Sequence, residues 1–227
     1  MRYYAVKEKR LAKPFVTISY ELGARAKSVI QGLGEYLQTH ERRKGAQWRI
    51  YDGNLLKKVA EDHQLPQTVL PYLSESITSE LENIIEETIG LHPSRHLLVN
   101  EINDTIFQLA QSGYAILVGR GSNIVTADLL QGAHVRLVAP VADRIRYLRE
   151  ILNMEEEQAR RYIVQEERNR REYFHKYFHK NIDDARLYDL TINTAKLPVQ
   201  DVIRMIGDLV FHVKNENLYH RPLHASA

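Results

Sequence analysis

The sequence predicts an α/β protein: a mostly parallel sheet with helices on both faces. Three observations carry this. Short aliphatic runs at Val16-Thr17-Ile18, Tyr114–Val118, His134–Val138 and Leu190-Thr191-Ile192 alternate with segments of helical period. Strands alternating with helices imply parallel pairing and a sheet covered on both sides. The run Ala115-Ile116-Leu117-Val118 has no polar member, as a strand buried on both faces requires.

The elements follow in chain order. Residues 1–14 read as a polar lead-in. Residues 15–19 predict a strand, and 27–38 a helix whose Val29, Ile30, Leu33, Tyr36 and Leu37 share one face. Residues 40–48 predict a loop. Arg49–Asp52 predicts a short strand, with Asp52 or Asn54 capping a helix to about residue 62. Residues 66–89 and 95–112 predict two longer helices with apolar stripes. After the strand at 114–118 comes the turn Gly119-Arg120-Gly121-Ser122, and after the strand at 134–138 comes Ala139-Pro140. Residues 141–152 predict a helix. Asn153, three residues before Glu156, predicts a capping-box start for a helix reaching about Phe178. Pro198 suits the first turn of a last helix. The segment 215–227 lacks periodicity and predicts a flexible tail. One domain over 15–214 accounts for the rest.

Composition narrows the function classes. The 227 residues are 44% hydrophobic and 26% charged, the range of a globular domain. The absence of cysteine excludes disulfides, thiol catalysis and cysteine metal sites. The N-terminal segment is charged, without an apolar signal core, and no apolar run reaches the roughly 18 residues of a membrane span. A cytoplasmic protein without membrane attachment is expected. A formal charge of +2 is too small to argue for a duplex nucleic-acid partner. The Ile-rich helices at 66–112 offer a possible homodimer surface, although intrachain core explains them more simply.

In parallel sheets ligands bind at the carboxyl ends of the strands. Three features fall there: the loop after Ile18, the Gly119–Ser122 turn, and the turn after Val138. The loop is followed by Gly23, Ala24, Arg25, Ala26, Lys27 and Ser28, then a helix. A phosphate loop needs glycine, four residues, glycine, lysine, then serine or threonine. Here Glu21 and Ala26 stand at the two glycine positions. Lys27 suits β/γ-phosphate charge and Ser28 a Mg²⁺ contact, with Arg25 a second cation. The alternative is an ordinary strand–helix turn with solvated Lys27 and Ser28. Arg120, between two glycines, can offer a forked donor to an anion; the alternative is an exposed turn arginine. Residues 160–171 read RRYIVQEERNRR. They fit a solvated, salt-bridged helix or a lid that brings Arg168, Arg170 or Arg171 over transferring phosphates. His175 and His179, four apart, have metal-binding spacing, but Lys176 stands where a metalloprotease motif has glutamate, and surface or packing histidines are expected.

In order, VTIS, GARAKS, YDGNLL, ILVGRGSNIV, VRLVAPVADRIRYL, EERNRREYF and YDLTINTAKL resemble the cytidylate kinase-like family of P-loop proteins over about residues 15–210. The resemblance implies a nucleoside monophosphate kinase fold, with a helical acceptor region at about 53–112 and a lid at about 153–187. It implies transfer of the γ-phosphoryl of ATP, with Mg²⁺, to a nucleoside monophosphate or similar small phosphate acceptor. Lys27, Arg120 and Arg170 are then the catalytic candidates. Gly23, Ala24, Arg25, Ala26, Lys27, Ser28, Arg144, Arg168, Arg171 and Asp189 are the cofactor-binding candidates, with Ser28 on the metal. Glu167 and Arg170 match the lid's acidic and basic positions, and Tyr188 and Asp189 the segment before the last strand.

The chain also departs from the pattern. Cytidylate kinases carry acids around the GR turn, as DGRD; Val118 and Gly121 stand there here. The lid lacks the first arginine of the pattern. A nucleotide-binding sensor or regulatory protein on the same fold is therefore the alternative expectation.

Overall fold

A computed structural model describes residues 13–52 and 95–216 of the chain. The expected helices at about 53–62 and 66–89 lie outside the described residues, as do most of the lead-in and tail. Five strands, β1 (Phe15–Tyr20), β2 (Arg49–Tyr51), β3 (Ala115–Val118), β4 (Gly132–Val138) and β5 (Leu190–Asn193), form one sheet in the order β2-β3-β1-β4-β5. Every pairing is parallel. β1 is central, with Ile18 opposite Val118 on one side and Val135 on the other.

The helices are α1 (Ala26–His40), α2 (Arg95–Ser112), α3 (Ser122–Val125), α4 (Val141–Leu152), α5 (Glu156–Phe178) and α6 (Val199–Glu216). The expected strands and the helices at 27–38, 95–112, 141–152 and 198 onward are present, with ends shifted by a residue or two. The short α3 was not expected, because four residues carry no periodic signal. Nor does Asn153 start α5. It sits in the left-handed region at φ 51° and ends α4, while Glu155 and Gln158 form the box, the Glu155 N–H donating to Gln158 Oε1 at 3.2 Å.

Alternation along β1 divides the core. Val16 and Ile18 face α1 and α6, packing with Val29, Leu33, Leu37, Val202, Ile206 and Val210. Phe15 turns the other way, with Ala115 and Leu117, onto Ile102, Ile106 and Ala110 of α2. Full burial of each Val, Leu, Ile or Phe among them contributes roughly 1.5–3 kcal/mol. The two layers hold the sheet rigid, and the carboxyl ends of β1, β3 and β4 open onto one edge. Among the described residues no helix is long and apolar enough to cross a membrane.

Candidate active site

The segment between β1 and α1 is stapled to its surroundings rather than wrapped on glycines. The Glu21 N–H continues the ladder by donating to the Leu137 carbonyl at 2.9 Å, and the Ala24 N–H donates back to the Glu21 carbonyl at 3.0 Å. The Ala24 carbonyl accepts from Thr194 Oγ1 at 3.1 Å, and the Leu22 carbonyl from Arg144 Nη1 at 3.4 Å. Gly23, at φ +88°, is the one glycine the loop needs: a Cβ there would stand 2.8 Å from the backbone oxygen of Arg144. Arg25 takes the left-handed region, at φ 56°, and no side chain caps α1. The first N–H groups of α1 therefore keep their free donors and the positive end of the helix dipole.

Four of the expected loop residues, Gly23, Arg25, Ala26 and Lys27, line one cleft of about 470 Å³ together with Tyr20, Asp52 and Tyr147. Lys27 is exposed in the first helical turn. Leu22, Ile30, Ile50, Leu148 and Ile151 give the cleft its apolar walls, and Val118 closes it beside β3. Ala24 is buried beneath the loop, and Ser28 is exposed but does not line the cleft.

The other expected residues are placed elsewhere. Arg120 is half-buried in the turn after β3, where Gly119, Arg120 and Gly121 take φ 72°, 61° and 66° in succession. Left-handed backbone at a non-glycine costs roughly 1–2 kcal/mol, so packing must hold it. The ring of Phe178, from the end of α5, occupies the space that a Cβ of Gly121 would need. Arg144 is buried under the loop, donating to the Ala139 carbonyl at 2.9 Å and paired with Glu167 and Glu21. Arg170 donates to the Tyr20 carbonyl at 2.9 Å and lies 4.6 Å over the Tyr20 ring. It thus touches the residue that also lines the Lys27 cleft. Arg168 points outward onto Glu172 at 2.8 Å. Asp189 is exposed in the bend just before β5, its carboxylate accepting from the His134 N–H at 2.9 Å, away from the carboxyl edge. So neither sequence-level account of 160–171 is complete. Arg168 belongs to a solvated face, Glu167 and Arg170 turn inward, and Arg171 stays exposed while pairing with Glu167 and Asp183.

Charges of alternating sign run from the loop to β4. Glu21 lies 3.6 Å from Arg144, Arg144 pairs with Glu167, and Glu167 lies 3.8 Å from Arg171. Arg171 lies 3.0 Å from Asp183, and Asp183 2.6 Å from Arg136. The hydrogen bond to Asp183 raises the pKa of Arg171 further. Glu21, Arg136, Arg171 and Asp183 border a second cleft of about 460 Å³ over the ends of β4 and β5.

Sequence reasoning missed Asp52 as a lining residue, having read it as a helix cap. Its signal was its position directly after β2, at the carboxyl edge. Arg136 carried a signal too, since a charge within an apolar strand is rarely buried without a partner. Asp183 carried none; only the fold brings it to Arg136.

The profile of the cytidylate kinase-like family matches residues 15–196. The chain is 20% identical over 166 residues to a cytidylate kinase of Methanocaldococcus jannaschii, covering 70% of this chain and 91% of the relative. It is 23% identical over 160 residues to a cytidylate kinase of Methanococcus maripaludis, covering 70% and 90%. A crystal structure of an uncharacterized protein from Eubacterium ventriosum shares the fold, with a TM-score of 0.64 at 17% identity over 88% of this chain and 99% of that one. With a parallel five-stranded sheet, a loop–helix junction at the carboxyl end of β1 and the family profile over most of its length, the chain belongs to the cytidylate kinase-like family.

Proposed function

We propose that the protein is a phosphotransferase that moves the γ-phosphoryl of ATP, or of another nucleoside triphosphate, to a nucleoside monophosphate or similar small acceptor. The observation that carries this reading is the convergence of Arg25, Lys27 and the uncapped start of α1 on one cleft at the sheet's carboxyl edge. Polyphosphate is the ligand such a convergence of cations and backbone donors suits. Two cations serve where charge is redistributed as the γ-phosphoryl leaves. Asp52 supplies the cleft with a carboxylate that would offer Mg²⁺ an oxygen, while Ser28, one residue beyond Lys27, would have to turn into the cleft to add its hydroxyl. Mg²⁺, when bound, neutralises phosphate charge. The segment 53–112 is the proposed acceptor region and α5 with the following turn the proposed lid. Arg120 and Arg170 are the cations proposed to complete the site from outside the loop.

A second reading has a specific observation in its favour. Arg170 and Arg171 of the proposed lid are engaged with the Tyr20 carbonyl, Asp183 and Glu167, and Val118 lines the cleft where cytidylate kinases carry an acid. That arrangement suits a nucleotide sensor that binds without turnover. A coupled assay of ADP release, with Mg²⁺, ATP or GTP and a panel of monophosphates, separates the two. The phosphotransferase reading expects turnover that Lys27→Ala abolishes and an ATP affinity weakened about 10- to 100-fold in the variant. Turnover no higher than that of Lys27→Ala sinks it, and calorimetric ATP binding without turnover establishes the sensor.

A further inference from the structure

We propose that Glu21 is a positioning residue that ties the phosphate loop to helix α5 through the buried cation Arg144. The proposal deepens the phosphotransferase reading and rests on it. Glu21 occupies the place where a phosphate loop has its first glycine, and its carboxylate does not line the Lys27 cleft. It turns instead toward the start of α4. Glu21 Oε2 accepts from the Ala139 N–H at 3.0 Å and lies 3.6 Å from Arg144 Nε.

Arg144 is 6% exposed and works in two directions. On the loop side it meets Glu21, the Leu22 carbonyl and the Cβ-free face of Gly23. On the helix side it pairs with Glu167. One turn further along α5, Arg170 returns to the Tyr20 carbonyl and ring. Residues 20–23 and one face of α5 are therefore joined at two successive turns. A cation shared by two acids on separate elements fixes both, because displacing either acid leaves buried charge uncompensated.

The consequence is register. In a glycine-rich loop the backbone itself wraps phosphate. In this chain the loop is short of glycine, and its shape is imposed from outside by Ala139, Arg144 and Thr194. The same tie sets where α5 stands over the loop, and so where Arg170 lies relative to Tyr20 and the cleft. A misplacement of about 1 Å at a reacting centre can cost roughly 100-fold in rate.

The test uses the full chain, with Glu21→Gln and Glu167→Gln alone and combined. E21Q keeps an oxygen for the Ala139 N–H and removes only the charge facing Arg144. E167Q cuts the tie from the helix side without touching the loop, so the test survives should E21Q fail to fold. Hydrogen exchange over residues 156–178 is expected to rise several-fold in each single variant, without nucleotide. With the most active monophosphate, kcat is expected to fall about 10- to 100-fold while KM for ATP stays within about twofold. The combined effect is expected to depart from the product of the single effects, as groups sharing one partner do. Unchanged exchange in α5, or single effects that simply multiply, overturns the proposal. A wild-type protein without turnover defeats the phosphotransferase reading instead, and the exchange measurement alone then decides whether the tie exists.

Discussion

Arg136 and Asp183 meet at the edge of the second cleft, with Arg136 Nη2 donating to Asp183 Oδ1 at 2.6 Å while Nη1 donates to Ser19 Oγ at 2.9 Å. The arginine side chain is 7% exposed and the aspartate 39%. An interior strand of the sheet, β4, thus carries a buried cation whose counter-charge comes from a turn 47 residues later.

Removing the acid is predicted to cost more than removing the base. Asp183→Ala leaves Arg136 buried with only neutral side chains, Ser19 and Tyr188, beside it, a loss of about 1.5–3 kcal/mol. The exposure of Asp183 keeps the figure below that of a fully buried pair. Arg136→Met fills similar space without a charge to satisfy, and Asp183 retains Arg171. Urea denaturation of the two variants is expected to rank Asp183→Ala as the less stable.

The loop glycine provides a second comparison. Gly23→Ala places a Cβ 2.8 Å from both Cβ and the backbone oxygen of Arg144, on a backbone at φ +88°. Gly45→Ala imposes a similar left-handed position, φ +79°, with nothing within 4 Å. The Gly45 variant is expected to lose the conformational cost alone, about 1–2 kcal/mol. The Gly23 variant adds an overpacking cost of about 1–3 kcal/mol. It is also expected to weaken ATP binding measured by calorimetry, because Arg25 and Lys27 follow directly. Equal destabilisation of the two would show that the approach of Arg144 to the loop is not tight.

Tyr188 gives the protein an alkaline limb. Its hydroxyl donates to the Ile182 carbonyl at 2.8 Å. Burial pushes its pKa above the ordinary 10.0, against the opposing pull of Ser19 and Arg136. The native state therefore holds the phenol proton more tightly than the unfolded chain does. That contribution is whole below about pH 10 and is lost as pH rises beyond it. Tyr188→Phe cannot ionise there, so the stability difference between wild type and variant is expected to shift against the wild type between about pH 9 and about pH 11. Urea midpoints across that range measure it, and a constant difference would contradict the prediction.

Much of the architecture was legible because it depends on local pattern. The apolar run 114–118 had to be covered on both faces, and the stripes of α1 and α6 had to face it. Asn153 was misread for a local reason: a residue that can open a helix can equally close one in the left-handed region, and only the chain path chooses between them. The site was less legible. GARAKS placed Arg25 and Lys27 at the carboxyl edge, but could not say which other residues would join them there.

By itself the sequence determined the order of strands and helices, the parallel sheet, and the loop–helix junction with its two cations. Those follow from periodicity and residue type, which act over a few residues. The tertiary structure decided where the charged side chains around the loop turn. Glu21 turned from the cleft to the Ala139 N–H and Arg144, and Arg144 turned under the loop to Glu167. The reason is energetic and non-local. A buried charge is tolerable only beside its partner, and for Glu21 those partners lie 118 residues and more along the chain.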